Sequence, residues 1–412
     1  MMTDLIGFSH HISLIHFMHL KLDNNMKIIR ALFIFAILIT SCKKPIADEN
    51  KILVKALWSE NDTSHNNYRI PSIIVTKEST LLAFSEGRED GDAGNIDILL
   101  KRSLDNGHTW EEQIVVWNDS NNTCGNPCPV IDQNTGRIIL FMTWNLGIDH
   151  ESDIIRNKSK NSRIPYMTNS DDDGLTWSEA KNLSETGKSK NWGWYATGPG
   201  VGIQLKSKKY NGRLVIPCNN SFDEPGIMHR DGFGYGSHVL LSDDGGNNWR
   251  MSEIITPEVN ESQIVELNDG ALMMNMRSYH GKASHAISYS YDGGETWTDI
   301  HHAPQLVEPI CQGSIIQYGK YHDENMYLFS NPAVPYNRTH MTIRASFDEC
   351  QTWSNSKLIY PGPSAYSCLT KLPNGNVGML FESGYQAPYD KMVFVSFDAA
   401  VLFSPGSVID SL

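Results

Sequence analysis

The feature that most constrains this chain is an eight-residue pattern that occurs five times. The copies begin at Ser103, Ser170, Ser242, Ser290 and Ser346 and end at Trp110, Trp177, Trp249, Trp297 and Trp353, reading Ser-x-Asp-x-Gly-x-Thr-Trp. Asn248 stands for Thr in the third copy and Cys350 for Gly in the fifth. Each residue type has a physical task. The Asp carboxylate accepts backbone N–H groups of a tight turn, and Gly supplies positive φ there. Thr suits the strand that follows, and Trp buries a large ring against a neighbouring strand. Copies start 48 to 72 residues apart, so each unit exceeds a hairpin and approaches the size of four short strands. Residues 81–84, 137–141, 213–216 and 326–329 are short apolar runs bounded by turn residues, which reads as strands. No helix-period stretch of domain length follows Cys42. The expectation is an all-β fold of radially repeated sheets, whose axial mouth is a natural ligand pocket. The repeats are structural, so none of their aspartates or tryptophans is assigned to chemistry.

The 412 residues are 40% hydrophobic and 20% charged, which excludes a disordered or fibrous chain. A net charge of −13 argues against a general nucleic-acid binder. It also makes any inward cluster of arginines notable, because the global field does not supply local positive charge. The seven cysteines are Cys42, Cys124, Cys128, Cys218, Cys311, Cys350 and Cys368. Cys124 and Cys128 have no second pair at zinc-site spacing, so a local disulfide or two free thiols is the preferred reading over a metal. The fifteen histidines show no ligand spacing such as H-E-x-x-H.

The amino-terminal stretch has a secretory signature. Met26-Lys27-Ile28-Ile29-Arg30 is a short basic start, an apolar run covers 31–39, and Thr40-Ser41-Cys42 follows. The ending resembles a bacterial lipobox, with Cys42 the lipidated first residue of the mature chain and translation starting at Met26. An uncleaved anchor or a plain signal peptide is the alternative, and in each case the domain lies outside the cytoplasm. Residues 43–50 are polar and strandless, which suits a tether, and one globular domain is expected over 51–412.

Tyr68-Arg69-Ile70-Pro71 stands near the start of that domain. Together with the five Asp boxes it resembles the (F/Y)RIP motif of the sialidase (neuraminidase) superfamily, and specifically its bacterial retaining exo-sialidases. The resemblance implies a six-bladed β-propeller of four-stranded antiparallel blades. It also implies hydrolysis of terminal sialic acid from glycoconjugates, without metal or organic cofactor. Sialic acid carries a carboxylate on its anomeric carbon, and arginine forks match a carboxylate bidentately. The three family arginines map onto Arg69, Arg277 and Arg338, and Glu382 maps onto the glutamate that holds the first of them. Tyr366 matches the family nucleophile. A neutral phenol avoids the repulsion a carboxylate nucleophile meets at this centre, and sialidases are known exceptions to the two-carboxylate pattern. A phenol of pKa about 10 needs a base; Glu261 matches that part, with Glu266 as rival. The acid/base aspartate on the loop 86–95 matches Asp92, with Asp90 as runner-up, and its carboxyl has to rise in pKa to serve as an acid. Arg88 adds a contact to the sugar or its carboxylate. Trp144, Trp192, Trp194 and Tyr195 either shape the pocket or pack in the core. Two other readings stay open: a trans-sialidase or intramolecular trans-sialidase on the same fold, and a non-catalytic Asp-box propeller that only binds.

Overall fold

In a computed structural model of the chain, residues 52–60, 62, 64–222, 234–406 and 408–409 are described. The expected leader, Cys42 and the tether lie outside them.

Strands are the dominant regular structure of the described chain, in successive up-and-down runs. After β1 (Leu53–Ser59) come β2 (Asn67–Val75), β3 (Leu81–Arg88), β4 (Ile96–Ser103) and β5 (Ile114–Trp117). The next run is β6 (Thr123–Ile131), β7 (Ile138–Asn145), β8 (Ile164–Ser170) and β9 (Lys181–Asn182), with a short helix α1 (Glu151–Ile155) before β8. A third holds β10 (Trp192–Thr197), β11 (Ile203–Gln204), β12 (Leu214–Phe222), β13 (Gly234–Ser242) and β14 (Arg250–Met251). A fourth holds β15 (Val259–Glu266), β16 (Leu272–Ser278), β17 (Ser284–Ser290) and β18 (His301–Val307). Then follow β19 (Ser314–Tyr321), β20 (Glu324–Pro332), β21 (Thr339–Ser346), the long β22 (Asn355–Lys371), β23 (Val377–Ser383) and β24 (Lys391–Phe397), onto which β1 pairs. Hydrogen bonds join these into four sheets: β2–β9, β10–β14, β15–β18, and β19–β24 with β1. Pairing is antiparallel apart from one parallel bridge, Ile96↔Thr123, between the first two runs.

The Asp boxes show why these residues make this fold. In the third box Asp244 accepts from the Asn248 backbone N–H (3.0 Å) and from the Ser242 hydroxyl (2.9 Å). The Ser242 oxygen in turn accepts from the Gly246 N–H (2.9 Å), where φ is +89°. Asn248 fits in place of Thr because its amide reaches Asp244 Oδ2 (2.7 Å), the oxygen that the Thr176 and Thr352 hydroxyls bond on Asp172 and Asp348. Cys350 takes the glycine position with φ +64°, a region few side chains adopt without strain. Each Trp then reaches across to another run: Trp110 meets Phe394 edge-on (5.3 Å), Trp177 meets Phe84 (5.9 Å) and Trp249 meets Phe141 (4.7 Å). The boxes therefore staple one run to the next.

This packing leaves the first strands of the runs side by side, with β2 against β6 and β22, and β15 and β19 against one another. One end of these strands carries the ionisable cluster described below. A larger cavity of about 600 Å³ opens at their other ends, walled mainly by aliphatic residues such as Ile73, Val130, Val201, Ile264, Ile315 and Leu369. Cys124, Cys128, Cys218, Cys311, Cys350 and Cys368 are buried free thiols, which decides between the two readings of the Cys124–Cys128 pair.

Trp249 is 7% exposed and bonds Gly246 O through its indole N–H (2.9 Å). Trp249→Ala should therefore cost about 3–5 kcal/mol of unfolding free energy, read by urea titration. A loss below about 1 kcal/mol would contradict the stapling role.

Candidate active site

The site is organised by a carboxylate that never meets solvent. Glu382, on β23, is 0% exposed. Its Oε1 accepts from Arg69 Nε (2.9 Å) and from the backbone N–H of Ile70 (2.9 Å). Its Oε2 accepts from Arg69 Nη2 (3.4 Å) and from the backbone N–H of Tyr366 (3.0 Å). β2 and β22 each break ladder register at this point, between Arg69 and Ser72 and between Ser364 and Ser367. Those bulges free the two N–H groups and turn Arg69 and Tyr366 inward. Ile70 sits at φ +60°, a rare conformation for a β-branched residue.

Around Tyr366 the geometry is tight. Its hydroxyl donates to Glu261 Oε1 (2.5 Å), and Arg277 Nη1 donates both to the phenolic oxygen (3.0 Å) and to Glu261 Oε2 (2.8 Å). The guanidinium carbons of Arg69 and Arg338 lie 5.2 and 5.6 Å from the Tyr366 ring centroid. Arg338 is tied to Tyr389 Oη (2.9 Å) and to Ile310 O (3.1 Å). Burial pushes the Tyr366 phenol well up from its ordinary value, and the Glu261 charge adds to this; Arg277 and Arg338 pull the other way without winning. The resting phenol is therefore protonated, with its proton pointed at a carboxylate.

Asp92 lies across the cavity on the loop between β3 and β4. Its side chain is 76% exposed, so the burial that favours its neutral form loses to the cations beside it, first Arg88 and then Arg69. The result is a carboxyl held below the usual aspartate range, paired to Arg88 Nη1 at 2.5 Å and to Arg69 Nη1 at 3.4 Å. An acid role needs the opposite shift, which substrate binding and exclusion of water would supply; the local cations favour the ionised form. Arg88 is oriented by Glu86 Oε2, which accepts from its Nε (2.7 Å), while Glu86 Oε1 accepts from the Asn126 N–H (2.6 Å).

These groups line one cavity of about 250 Å³, which holds Arg69, Arg88, Asp92, Glu261, Arg277, Arg338 and Tyr366 together. Glu266 is elsewhere, at the far end of β15, accepting from the backbone N–H groups of Lys206 and Ser207 (2.8 Å each). Asp90 is not among the lining residues. Of the four aromatics singled out, only Trp194 faces the cavity. Trp192 and Tyr195 are core residues, and Trp144 donates to Asp119 (2.6 Å).

Sequence reasoning missed a fifth cavity arginine, beyond Arg69, Arg88, Arg277 and Arg338. Arg163 is 4% exposed, bonds Thr143 Oγ1 (2.9 Å) and Asn126 Oδ1 (2.7 Å), and stacks on Trp194 at 4.4 Å. Burial lowers it to about 10, against the pull of Glu86 and Glu151. The signal was present: Arg163-Ile164-Pro165 repeats the Arg69-Ile70-Pro71 triplet. Tyr389, Tyr279 and Glu151 complete the wall, and burial raises the Glu151 carboxyl above its ordinary value.

A family model described as a BNR repeat-like domain matches residues 79–379. A sialidase of Micromonospora viridifaciens is 32% identical over 80% of this chain and 52% of its own length. A sialidase of Bacteroides fragilis (strain YCH46) is 29% identical over 78% of this chain and 61% of its own. The chain thus spans about half to three fifths of these two relatives. Among solved structures, Hadza microbial sialidase Hz136 superposes with a TM-score of 0.71 at 29% identity, covering 82% of this chain and 66% of that one. The intramolecular trans-sialidase from Ruminococcus gnavus, in complex with oseltamivir carboxylate, gives 0.71 at 21% identity, covering 85% and 98%, a likeness of fold.

Removing the Glu382 carboxylate strands a buried guanidinium and two buried N–H groups, at a cost of about 3–5 kcal/mol. Glu382→Ala should lower the thermal midpoint accordingly, measured by calorimetry. An unchanged midpoint would show that Arg69 is held by something else.

Proposed function

The chain belongs to the sialidase family, and from that footing we propose that it is an exo-α-sialidase that releases terminal sialic acid from glycoconjugates with retention, through a tyrosyl sialyl-enzyme. One observation carries the reading: a buried phenol donates to a carboxylate at 2.5 Å while three guanidinium groups converge on it.

In the proposed reaction Arg69, Arg277 and Arg338 bind the sugar carboxylate. That carboxylate displaces Asp92 from Arg69, so Asp92 loses a cation, gains an anionic neighbour and shifts upward toward a carboxyl able to protonate the leaving oxygen. The Tyr366 proton passes to Glu261 along the existing hydrogen bond, and the phenolate attacks the anomeric carbon. Water deprotonated by Asp92 then attacks the same carbon and frees Tyr366, which takes its proton back from Glu261, so two inversions give net retention. Arg88 holds Asp92 in place and adds positive charge beside the substrate. A cavity of about 250 Å³ suits one terminal sugar ring better than an oligosaccharide.

The scaffold proposed for this chemistry is a six-bladed propeller. The six successive antiparallel runs support it, with β22 divided between the fifth and sixth and β1 completing the last. Export, with lipid attachment at Cys42 and an extracytoplasmic domain, is proposed from the leader sequence alone. Intramolecular transfer is a second reading, favoured by the fold shared with the Ruminococcus gnavus enzyme.

The purified protein should release 4-methylumbelliferone from its sialoside, and Tyr366→Phe should lower turnover by at least about a thousandfold. Near-native turnover in that variant would remove Tyr366 from its role. NMR of the early product should show the α-anomer of free sialic acid; a first-formed β-anomer would rule out retention, and an anhydro sugar would favour the second reading.

A further inference from the structure

The segment that precedes β19 bonds Arg338 and the residues that follow Arg277 and Tyr366, without lining the cavity. Glu308 is 1% exposed; its Oε1 accepts from the N–H of Ser278 (2.8 Å), the residue after Arg277, and its Oε2 from the N–H of Cys311 (3.1 Å). Ile310 offers its carbonyl to Arg338 Nη2 (3.1 Å) and holds φ +55°, a left-handed conformation foreign to a β-branched side chain. Gln312, 1% exposed, grips the backbone of the residue after Tyr366 at two points: its Oε1 accepts from Ser367 N–H (3.1 Å) and its Nε2 donates to Ser367 O (3.0 Å).

That two-point grip stands where a neighbouring strand would be. At Tyr366 the ladder between β22 and β23 is interrupted, with Ser364 paired to Ser383 and Ser367 to Phe381. On its other edge β22 faces the axis of the inner strands, and a side-chain amide supplies the donor and acceptor that a backbone would have given. The same amide donates to Pro199 O (3.4 Å), which also accepts from Gln263 Nε2 (3.4 Å). Gln263 lies two residues beyond Glu261 on β15. Its Oε1 accepts from Ser314 Oγ (2.9 Å) and Ile315 N–H (3.0 Å), and Ser314 Oγ accepts from Leu369 N–H on β22 (2.9 Å). The strands that carry the phenol and the carboxylate are thus joined beneath the cavity by a buried polar belt, and Gln312 is its link to the phenol.

We propose that Gln312 is a positioning residue, which sets the height of Tyr366 on β22 so that its hydroxyl meets Glu261 and Arg277. The inference rests on the sialidase reading. It predicts a particular split: the arginines that bind the carboxylate stay in place when Gln312 is changed, because Glu382, Glu261 and Ile310 O hold them, whereas the attacking oxygen loses its register.

Gln312→Met keeps length and apolar volume and removes both bonds to Ser367. Turnover on the 4-methylumbelliferyl sialoside should fall about 10- to 100-fold, while affinity for the unreactive 2,3-dehydro analogue of sialic acid, measured by calorimetry, changes less than about threefold. Gln312→Glu supplies a second arm should the first variant not fold. Its protonated carboxyl has one donor and one acceptor and imitates the amide, and its ionised form cannot donate to Ser367 O. Relative to the native enzyme, that variant should lose turnover as pH rises. The thiols around this belt do not confuse the reading: burial pushes Cys311 and Cys368 up to about 12, and Cys128 well up, so all stay neutral in the assay range. Native-like turnover in Gln312→Met, or equal losses of turnover and analogue affinity, would overturn the proposal. A native protein without sialidase activity would instead overturn the reading on which it rests.

Discussion

The active arrangement depends on one buried carboxylate shared between a side chain and two backbones. Glu382 neutralises Arg69, and it also replaces the ladder partners that Ile70 and Tyr366 give up at their bulges. An ion pair in a dry interior repays its desolvation only when geometry is good and the remaining lone pairs are satisfied. Four donors on two oxygens meet that condition. The cost of bending two strands inward is met at the same point that fixes the first guanidinium, so Arg69 and Tyr366 cannot drift apart independently.

The remaining charges follow a graded plan within a chain of net charge −13. Arg69 has a full counter-charge in Glu382, Arg277 shares Glu261 with the phenol, and Arg338, among the described residues, has only neutral partners, a tyrosine hydroxyl and a carbonyl. The cavity therefore keeps a positive surplus on the side where a substrate carboxylate would lie. Asp92 takes up part of that surplus. In the proposed reaction the arriving carboxylate would release it from Arg69, so the proposed acid would be set to work by the group that the arginines bind.

Much of the fold was legible because the Asp box is a local device: its turn, its staple and its strand can each be read from eight residues. The substitutions were legible too, since Asn248 retains a donor for Asp244 Oδ2, as the hydroxyl does in other boxes. The cavity residues Arg69, Tyr366 and Glu261 were found through short motifs, and Glu261 and its rival Glu266 lie at opposite ends of β15, with Glu261 lining the cavity. Other features depend on contacts that no short window contains. Asp92 pairs with Arg88 through a loop register that spacing leaves open, and Gln312 meets Ser367 across 55 residues of chain. Trp192 and Tyr195 were indistinguishable from Trp194 because the register of β10 shifts between Trp192 and Tyr195, which breaks simple alternation. Arg163 was overlooked although its triplet repeats that of Arg69, since the expectation had Arg69, Arg277 and Arg338 from the resemblance and Arg88 from the loop, and looked no further.

The central claim is that the oxygen of Tyr366 bonds to the anomeric carbon. It is tested most directly by reaction with 2,3-difluorosialic acid, whose ring fluorine slows breakdown of a glycosyl-enzyme, followed by peptide mass spectrometry. The account predicts one adduct per chain, on the peptide that contains Tyr366 and localised to that residue by fragmentation. An adduct on Glu261 or Asp92, or turnover of the reagent's parent substrate with no adduct at any residue, would contradict it.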